Sequence, residues 1–482
     1  MASVDPRDPL SLRSDAPLLD GYLSYLDSDP APFHVPGHKA DSGLLGAITE
    51  GDVAVYGGVD TIDGRHNRLP EAESRAAKLW DADWCRFSVG GSTHGNQALA
   101  LAAARPGDTV VISRTLHRSA LLALVLVGLR PVWVRPDVDP RVGLPVGVSA
   151  ETVREALTCT PQARAVFVTE PSYVGTSAVL TEHARLAHEH GIPLIVDQAW
   201  GAHYGFHPAV PPHALAQGAD AMVTSAHKAL LAYSQAALVL ARTERLNPDR
   251  LQRGFDATNT TSPAGTIAGS IDAVRALMER EGSARLDAVI TLADRIREPL
   301  RALEGLIVLD RSFLPGINVD PTKVVLALSG TGADGLLIQE DLLVDGIEVE
   351  LADRDTIVAT VTMGDTDRSV ERFSRSFAAS LNRRRGRPRS VRPLIAWTID
   401  AQVVMRPRDA FFAAHETVAA EQAVGRVSAE LICPYPPGIP VLAPGELITA
   451  EAMEGLQEAM AIGTNIRYAA DPSLDTVQVV SD

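Results

Sequence analysis

The chain has 482 residues, enough for two or three domains, and its 46% hydrophobic and 22% charged content suits a protein with a large buried core. A formal net charge of -16 argues against a nucleic-acid partner and mildly favours cationic ligands. Cys85, Cys159 and Cys433 lie far apart without metal-ligand spacing and read as reduced thiols. The first residues lack a signal's apolar run and the stretch 121–128 is too short for a bilayer, so a soluble, cytoplasmic protein is expected.

Residues 1–30 read as an arm. Leu18, Leu19, Tyr22, Leu23 and Leu26 have the spacing of a short amphipathic helix, which needs a surface to pack on, a second subunit among the candidates. Residues 32–39 form a loop, because Pro36-Gly37 prevents the helix that would bring His34 and His38 together around zinc. The loop 57–64 carries Asp60 and Asp63, as turn residues or as anions for a basic substrate. A helix over 70–82 and a strand at 87–89 precede a glycine-rich turn, 90–96, that opens a helix from Gln97 to Ala104. Strand, glycine-rich turn and helix make an anion cup, with Ser92 and Thr93 adding hydroxyl donors, although a tight turn without a ligand fits almost as well.

Strands at 110–113, 131–134, 165–169, 193–196 and 221–224 then alternate with helices opening near 115–119 and over 150–158, 182–189 and 213–217, and 235–240 adds a strand. This alternation predicts an α/β fold: a mainly parallel sheet with helices on both faces. A long helix over 270–304 leads to a smaller α+β region, with strands at 323–328 and 357–362 around a helix at 333–344. The expected division is an arm (1–30), a large domain (31–300) and a C-terminal region (301–482). Residues 383–392 hold six arginines and read as a solvated loop or an acid-contacting face ahead of a nucleic-acid patch; 433–440 is a rigid, proline-rich segment.

Asp197 ends one apolar strand, and Lys228 closely follows the next, Ala221-Met222-Val223-Thr224. Both sit at the carboxyl edge of a parallel sheet, where ligands bind. A lysine there can form a Schiff base with an aldehyde cofactor, and an aspartate can hold a protonated ring nitrogen. Those are the two groups that pyridoxal phosphate (PLP) needs most. Ser92, Thr93, Ser225 and the helix start can hold a phosphate, His117 can stack on a ring, and His227 can move a proton. Taken singly, each is better read as a surface lysine, a helix cap or a core histidine; their joint order at successive strand ends points to PLP.

The motifs FHVPGHK (33–39), GVD (58–60), GSTHGNQA (91–98), HRS (117–119), VDQAWGAH (196–203), SAHK (225–228), TTSP (260–263), VELAD (349–353), GDT (364–366) and PYPPGIPVLAPGE (434–446) run over nearly the whole chain. On them the sequence resembles the Orn/Lys/Arg decarboxylase family of PLP fold type I, in its shorter form without an N-terminal wing domain. The resemblance implies decarboxylation of lysine, ornithine or arginine to an amine and CO2, as in polyamine biosynthesis. It makes Lys228 the Schiff-base lysine, Asp197 the partner of the ring nitrogen and His117 the stacking group. Phosphate contacts would come from Ser92, Thr93, Ser225 and His227. Thr261 and Ser262 would reach a neighbouring subunit's site, making a homodimer or larger, and Glu446 would stand near the substrate's distal end.

The chain departs from the family pattern at Gln198-Ala199-Trp200, where the shorter enzymes usually carry Glu-Ala-His, at Arg118 in place of lysine, and at Ala264-Gly265 in place of an aromatic residue. Trp200 therefore joins the substrate-site candidates. These changes keep open a PLP-dependent aminotransferase or an oxidative deaminase of a specialised pathway. A non-catalytic regulatory homologue is the remaining alternative, against which the retained Lys228 and Asp197 stand.

Overall fold

A computed structural model describes residues 9–28, 30–39, 42–60 and 67–481 of the chain. Helix α1 (Pro17–Asp27) follows the leucine spacing of the arm and packs on a long helix of its own chain. There the Asp272 carboxylate accepts the Leu18 and Leu19 backbone N–H groups at 2.8 and 3.4 Å, satisfying two donors that the start of a helix leaves over.

Helix α2 (Arg68–Leu79) leads into β1 (Trp84–Ser88), α3 (Gly91–Ala103), β2 (Thr109–Ser113), α4 (Arg118–Val127) and β3 (Arg130–Val134). Then come α5 (Ala150–Cys159), β4 (Val166–Thr169), α6 (Thr181–Glu189), β5 (Leu194–Asp197), β6 (Ala221–Ser225), the single turn α7 (Ala226–Ala229) and β7 (Ala237–Ala241). The seven strands form one sheet in the order β1-β7-β6-β5-β4-β2-β3. Only β7 runs antiparallel to its neighbours. Strands β5, β6 and β7 are buried at every residue, which is why they read as unbroken apolar runs rather than as alternation.

Two elements differ from expectation. The helix expected near 213–217 is a short 3-10 turn, Leu215–Gln217, just after Pro211-Pro212. Helix α3 begins at Gly91 rather than Gln97. Gly91 has φ +69°, so one residue completes the reversal from β1, and Ser92 to Asn96 are already helical. Close packing of α3 on the sheet requires a second glycine: a Cβ at Gly95 would strike the Val223 side chain and stand 2.9 Å from a Val239 methyl.

Helix α8 (Pro248–Thr258) packs on α3, and α9 (Gly265–Arg301) carries the chain out of the sheet domain. Beyond it lie β8 (Ile307–Leu309), β9 (Lys323–Ala327), α10 (Gly335–Val344), β10 (Leu351–Ala352), β11 (Thr356–Thr360) and α11 (Asp367–Arg384). Their strands make an antiparallel sheet in the order β8-β9-β11-β10, with Leu326, Ile338, Ile357 and Phe377 in its core. Arg383 and Arg384 pair with Asp341, and Arg389 with Asp355, so the arginine run is an acid-contacting face. The region 301–482 holds two cores, since residues 396–479 build another around Trp397, Ile432, Leu456 and Val479. A buried pair, His203 and Asp320 at 3.1 Å, ties the loop after β5 to the segment before β9. None of the described helices is long and apolar enough to cross a membrane.

Candidate active site

Strands β2, β4, β5 and β6 end at one edge of the sheet, at Ser113, Thr169, Asp197 and Ser225. The register sets Asp197 beside Thr169 on one flank and beside Val223 on the other. The loops leaving these strands and the start of α3 enclose a cavity of about 650 Å³. Ser92, Thr93, His117, Asp197, Trp200, Ser225, His227 and Lys228 all line it. Trp397, Pro437, Gly438 and Ile439, from the distant C-terminal part of the chain, supply another wall.

Asp197 is buried, and both of its oxygens are held. Asn96 Nδ2 donates to Oδ2 at 2.7 Å, and the Ala199 N–H donates to Oδ1 at 3.1 Å. The same Asn96 amide donates to Ser119 Oγ at 2.9 Å, and Ser119 Oγ lies 2.9 Å from His117 Nδ1. The Ser119 backbone N–H also points at Nδ1, at 3.2 Å, because His117 caps α4. Nδ1 is therefore an acceptor, and the neutral imidazole carries its proton on Nε2. The residue is exposed, with its ring at the edge of the cavity. Desolvation by the protein around it lowers its pKa, Asp197 opposes this, and Lys228 and Arg118 reinforce it.

Lys228 Nζ lies 4.0 Å from the centre of the Trp200 ring. Burial pulls its pKa below the ordinary lysine value, against the opposing charges of Asp197 and then Glu350. A lowered pKa makes more of the nucleophilic free amine available. At the cavity floor, Ser92 Oγ and Ser225 Oγ meet at 2.6 Å beside the N-terminal turn of α3, an arrangement suited to an anion. His227 Nδ1 donates to the Ala236 carbonyl at 2.9 Å, leaving Nε2 as the nitrogen without a hydrogen-bond partner among the described residues.

Other predicted site residues do not join this cavity in their own chain. Asp60 is buried, with its carboxylate accepting the Leu69 N–H at 2.8 Å, and it lines a separate cavity with Tyr56, Glu73 and Arg86. Asp63 lies outside the described residues. Thr261 and Ser262 are exposed, just before α9. Glu446 is fully buried in a two-pronged ion pair with Arg114 and also accepts the Ala443 N–H, so its oxygens are consumed at a packing seam. His34 and His38 bind different partners, Val35 O and Asp52, beside Tyr22 and Tyr233 rather than beside Lys228. Conversely, Asn96, Ser119, Glu350, Tyr173 and Trp397 belong to the site or its surroundings without having been singled out. Asn96 and Ser119 stand inside motifs whose other members were assigned, and Glu350 stands in VELAD (349–353), none of whose residues was assigned. Trp397 gave no local signal.

Comparison with known proteins identifies the family of the chain. The family model described as Orn/Lys/Arg decarboxylase, major domain, matches residues 16–315, and that of the C-terminal domain matches 395–462. An arginine decarboxylase of Halalkalibacterium halodurans is 32% identical over 490 residues, covering 98% of this chain and 99% of that protein. An arginine decarboxylase of Bacillus subtilis is 29% identical, covering 97% and 98%. Among solved structures, a lysine decarboxylase of Francisella novicida superposes with a TM-score of 0.80 at 20% identity, covering 97% of this chain and 81% of that one. The chain belongs to the Orn/Lys/Arg decarboxylase family of PLP-dependent amino-acid decarboxylases.

Proposed function

We propose that the protein decarboxylates a basic L-amino acid with PLP, with arginine the first substrate to test. The observation that carries this reading is the convergence of Lys228 and Asp197 on one cavity whose floor is the Ser92–Ser225 pair. The residues present fit the cofactor: Lys228 for its aldehyde, Asp197 for its ring nitrogen, His117 for a ring face, and Ser92, Thr93, Ser225 and His227 for its phosphate. Arginine comes first because relatives aligned over nearly the whole chain carry that name.

PLP, when bound, supplies an electron sink for the pair released as the bond from Cα to the carboxylate breaks. The remaining work falls to the chain. Asp197, fixed by Asn96 and the Ala199 N–H, keeps a proton on the ring nitrogen. Lys228 would hold the cofactor through its aldehyde, for which its free amine is the nucleophile. A proton is delivered to Cα by Lys228 Nζ or His227 Nε2. For His227 to bind phosphate as a donor, both ring nitrogens must carry protons, since Nδ1–H is committed to Ala236. Trp200, Tyr173 and Trp397 line the same cavity and narrow it around the substrate.

Among the described residues lining the cavity, Asp197 is the sole carboxylate. A counter-charge for a cationic side chain therefore comes from a second subunit in this reading. The exposed position of Thr261 and Ser262 agrees with a homodimer that shares its sites, acting in the cytoplasm. The test is a product assay. PLP-loaded protein is given arginine, lysine and ornithine separately, and agmatine, cadaverine and putrescine are sought by mass spectrometry. One dominant amine, absent with Lys228→Ala, is expected. A keto acid in place of an amine would refute the reading.

A further inference from the structure

Lys323 opens β9, in the second sheet, yet its side chain reaches the reacting end of the first. It is fully buried, 1% exposed. Its Nζ lies 3.6 Å from the centre of the Trp200 ring and donates to Thr360 Oγ1 at 2.8 Å. Among the described residues no carboxylate comes within 4.0 Å of it, although Asp320 and Glu350 act on it from further away. A buried ammonium with one hydroxyl acceptor and no close counter-ion is a costly arrangement. What it faces is an indole, whose electron-rich surface attracts a cation.

The indole is the link to the site. Trp200 lines the cavity, and Lys228 Nζ stands 4.0 Å from the same ring centre. The two amines thus address one ring, one from the sheet domain and one from the second sheet. Lys323 does not itself line the cavity, so it acts through the ring rather than on a ligand. The room for it is built in: a Cβ at Gly175 would come within 2.9 Å of Lys323 Cγ. The charged and titratable groups facing this assembly are Asp320, Glu350 and Lys228 around Lys323, and Asp197, Glu350 and His117 around Lys228.

We propose that Lys323 is a positioning residue for the reacting lysine: its ammonium seats the Trp200 indole in the place where that ring meets Lys228. The proposal rests on Lys228 being the cofactor lysine. Burial lowers the pKa of Lys323 to about 8, which leaves it cationic at neutral pH, as the contact requires.

The test is a double-mutant cycle read without turnover. Full-length protein is stripped of cofactor, PLP is added, and the rate at which visible absorbance returns is followed at pH 7. Lys323→Met should slow the return about 3- to 10-fold, the range a cation–ring contact supports. Trp200→Leu should slow it as well, and the double variant should match Trp200→Leu alone, because Lys323 has nothing left to hold. A merely structural role would give additive losses. Should the Lys323→Met chain not fold, Thr360→Val, which removes the acceptor of the lysine, carries the same cycle with the same pattern. An unchanged rate in Lys323→Met, or additivity in whichever cycle is run, overturns the proposal. No return of absorbance in the unsubstituted chain would overturn the cofactor reading itself, and this proposal with it.

Discussion

Replacing Lys323 with methionine removes a buried charge while nearly keeping its volume, and the structure sets the size and sign of the result. Burial holds the lysine at a pKa of about 8 against an ordinary 10.5. At about 1.4 kcal/mol per pH unit, that difference is roughly 3 kcal/mol of instability, present in full below pH 8. Between pH 8 and 10.5 the unfolded chain binds more protons than the folded one. Stability therefore rises with pH across that window and the penalty disappears above it. Methionine escapes the penalty at every pH. It forfeits the bond to Thr360, about 1 kcal/mol, and the contact with Trp200, about 1–2 kcal/mol. At pH 7 the losses offset much of the gain, and the variant should be more stable by about 1 kcal/mol. The sharper expectation is the change with pH: from pH 7 to pH 10 the wild type should gain about 2–3 kcal/mol on the variant. Urea unfolding of both cofactor-free chains at each pH, followed by circular dichroism, measures it, and taking the difference cancels the other titrating groups. A gap that stays constant between the two pH values would show that Lys323 does not bury an ammonium, and would refute the reasoning.

On the role proposed for Asp197 at the ring nitrogen, Asp197→Asn should lower kcat by about 100-fold or more; steady-state rates check this, with PLP absorbance retained. Arg114→Met strands the buried Glu446 carboxylate and should cost about 3–5 kcal/mol in unfolding experiments. Glu446→Gln should also lower stability, while leaving the KM for arginine within about twofold of wild type; a large KM change with stability intact would restore the substrate-facing role. Gly95→Ala forces a methyl against Val223 and should lower stability by about 1–3 kcal/mol, measured by thermal or urea unfolding.

The parts of the site that could be read from the chain are those fixed by short-range rules. Apolar runs place strand ends within a residue or two. Parallel topology then sends those ends to one edge, which is enough to bring Asp197, Lys228, Ser92 and His117 together from the sequence alone. Residues whose roles depend on contacts far apart along the chain were not legible. Glu446 belongs to a motif and suggested a substrate contact, but its partner Arg114 lies in the loop after β2, and only tertiary packing reveals the pair. Trp397 approaches the cavity from a region with its own core. Lys323 looked like the first residue of an ordinary strand. The start of α3 was misplaced for a different reason: the glycines that suggested a longer turn serve one to reverse the chain and another to let the helix lie close on the sheet.

The wall formed by Trp397 and Pro437 to Ile439 has a consequence for how the enzyme is made. Translation runs from the N-terminus, so Lys228 and Asp197 leave the ribosome roughly 10–40 s before that wall does, at about 5–20 residues per second. During that interval the emerging sheet domain carries the Lys228 amine in a groove open on one side. The cavity closes only once residues 397–439 have been synthesised and packed, which makes that stretch the one that turns an open groove into an enclosed site.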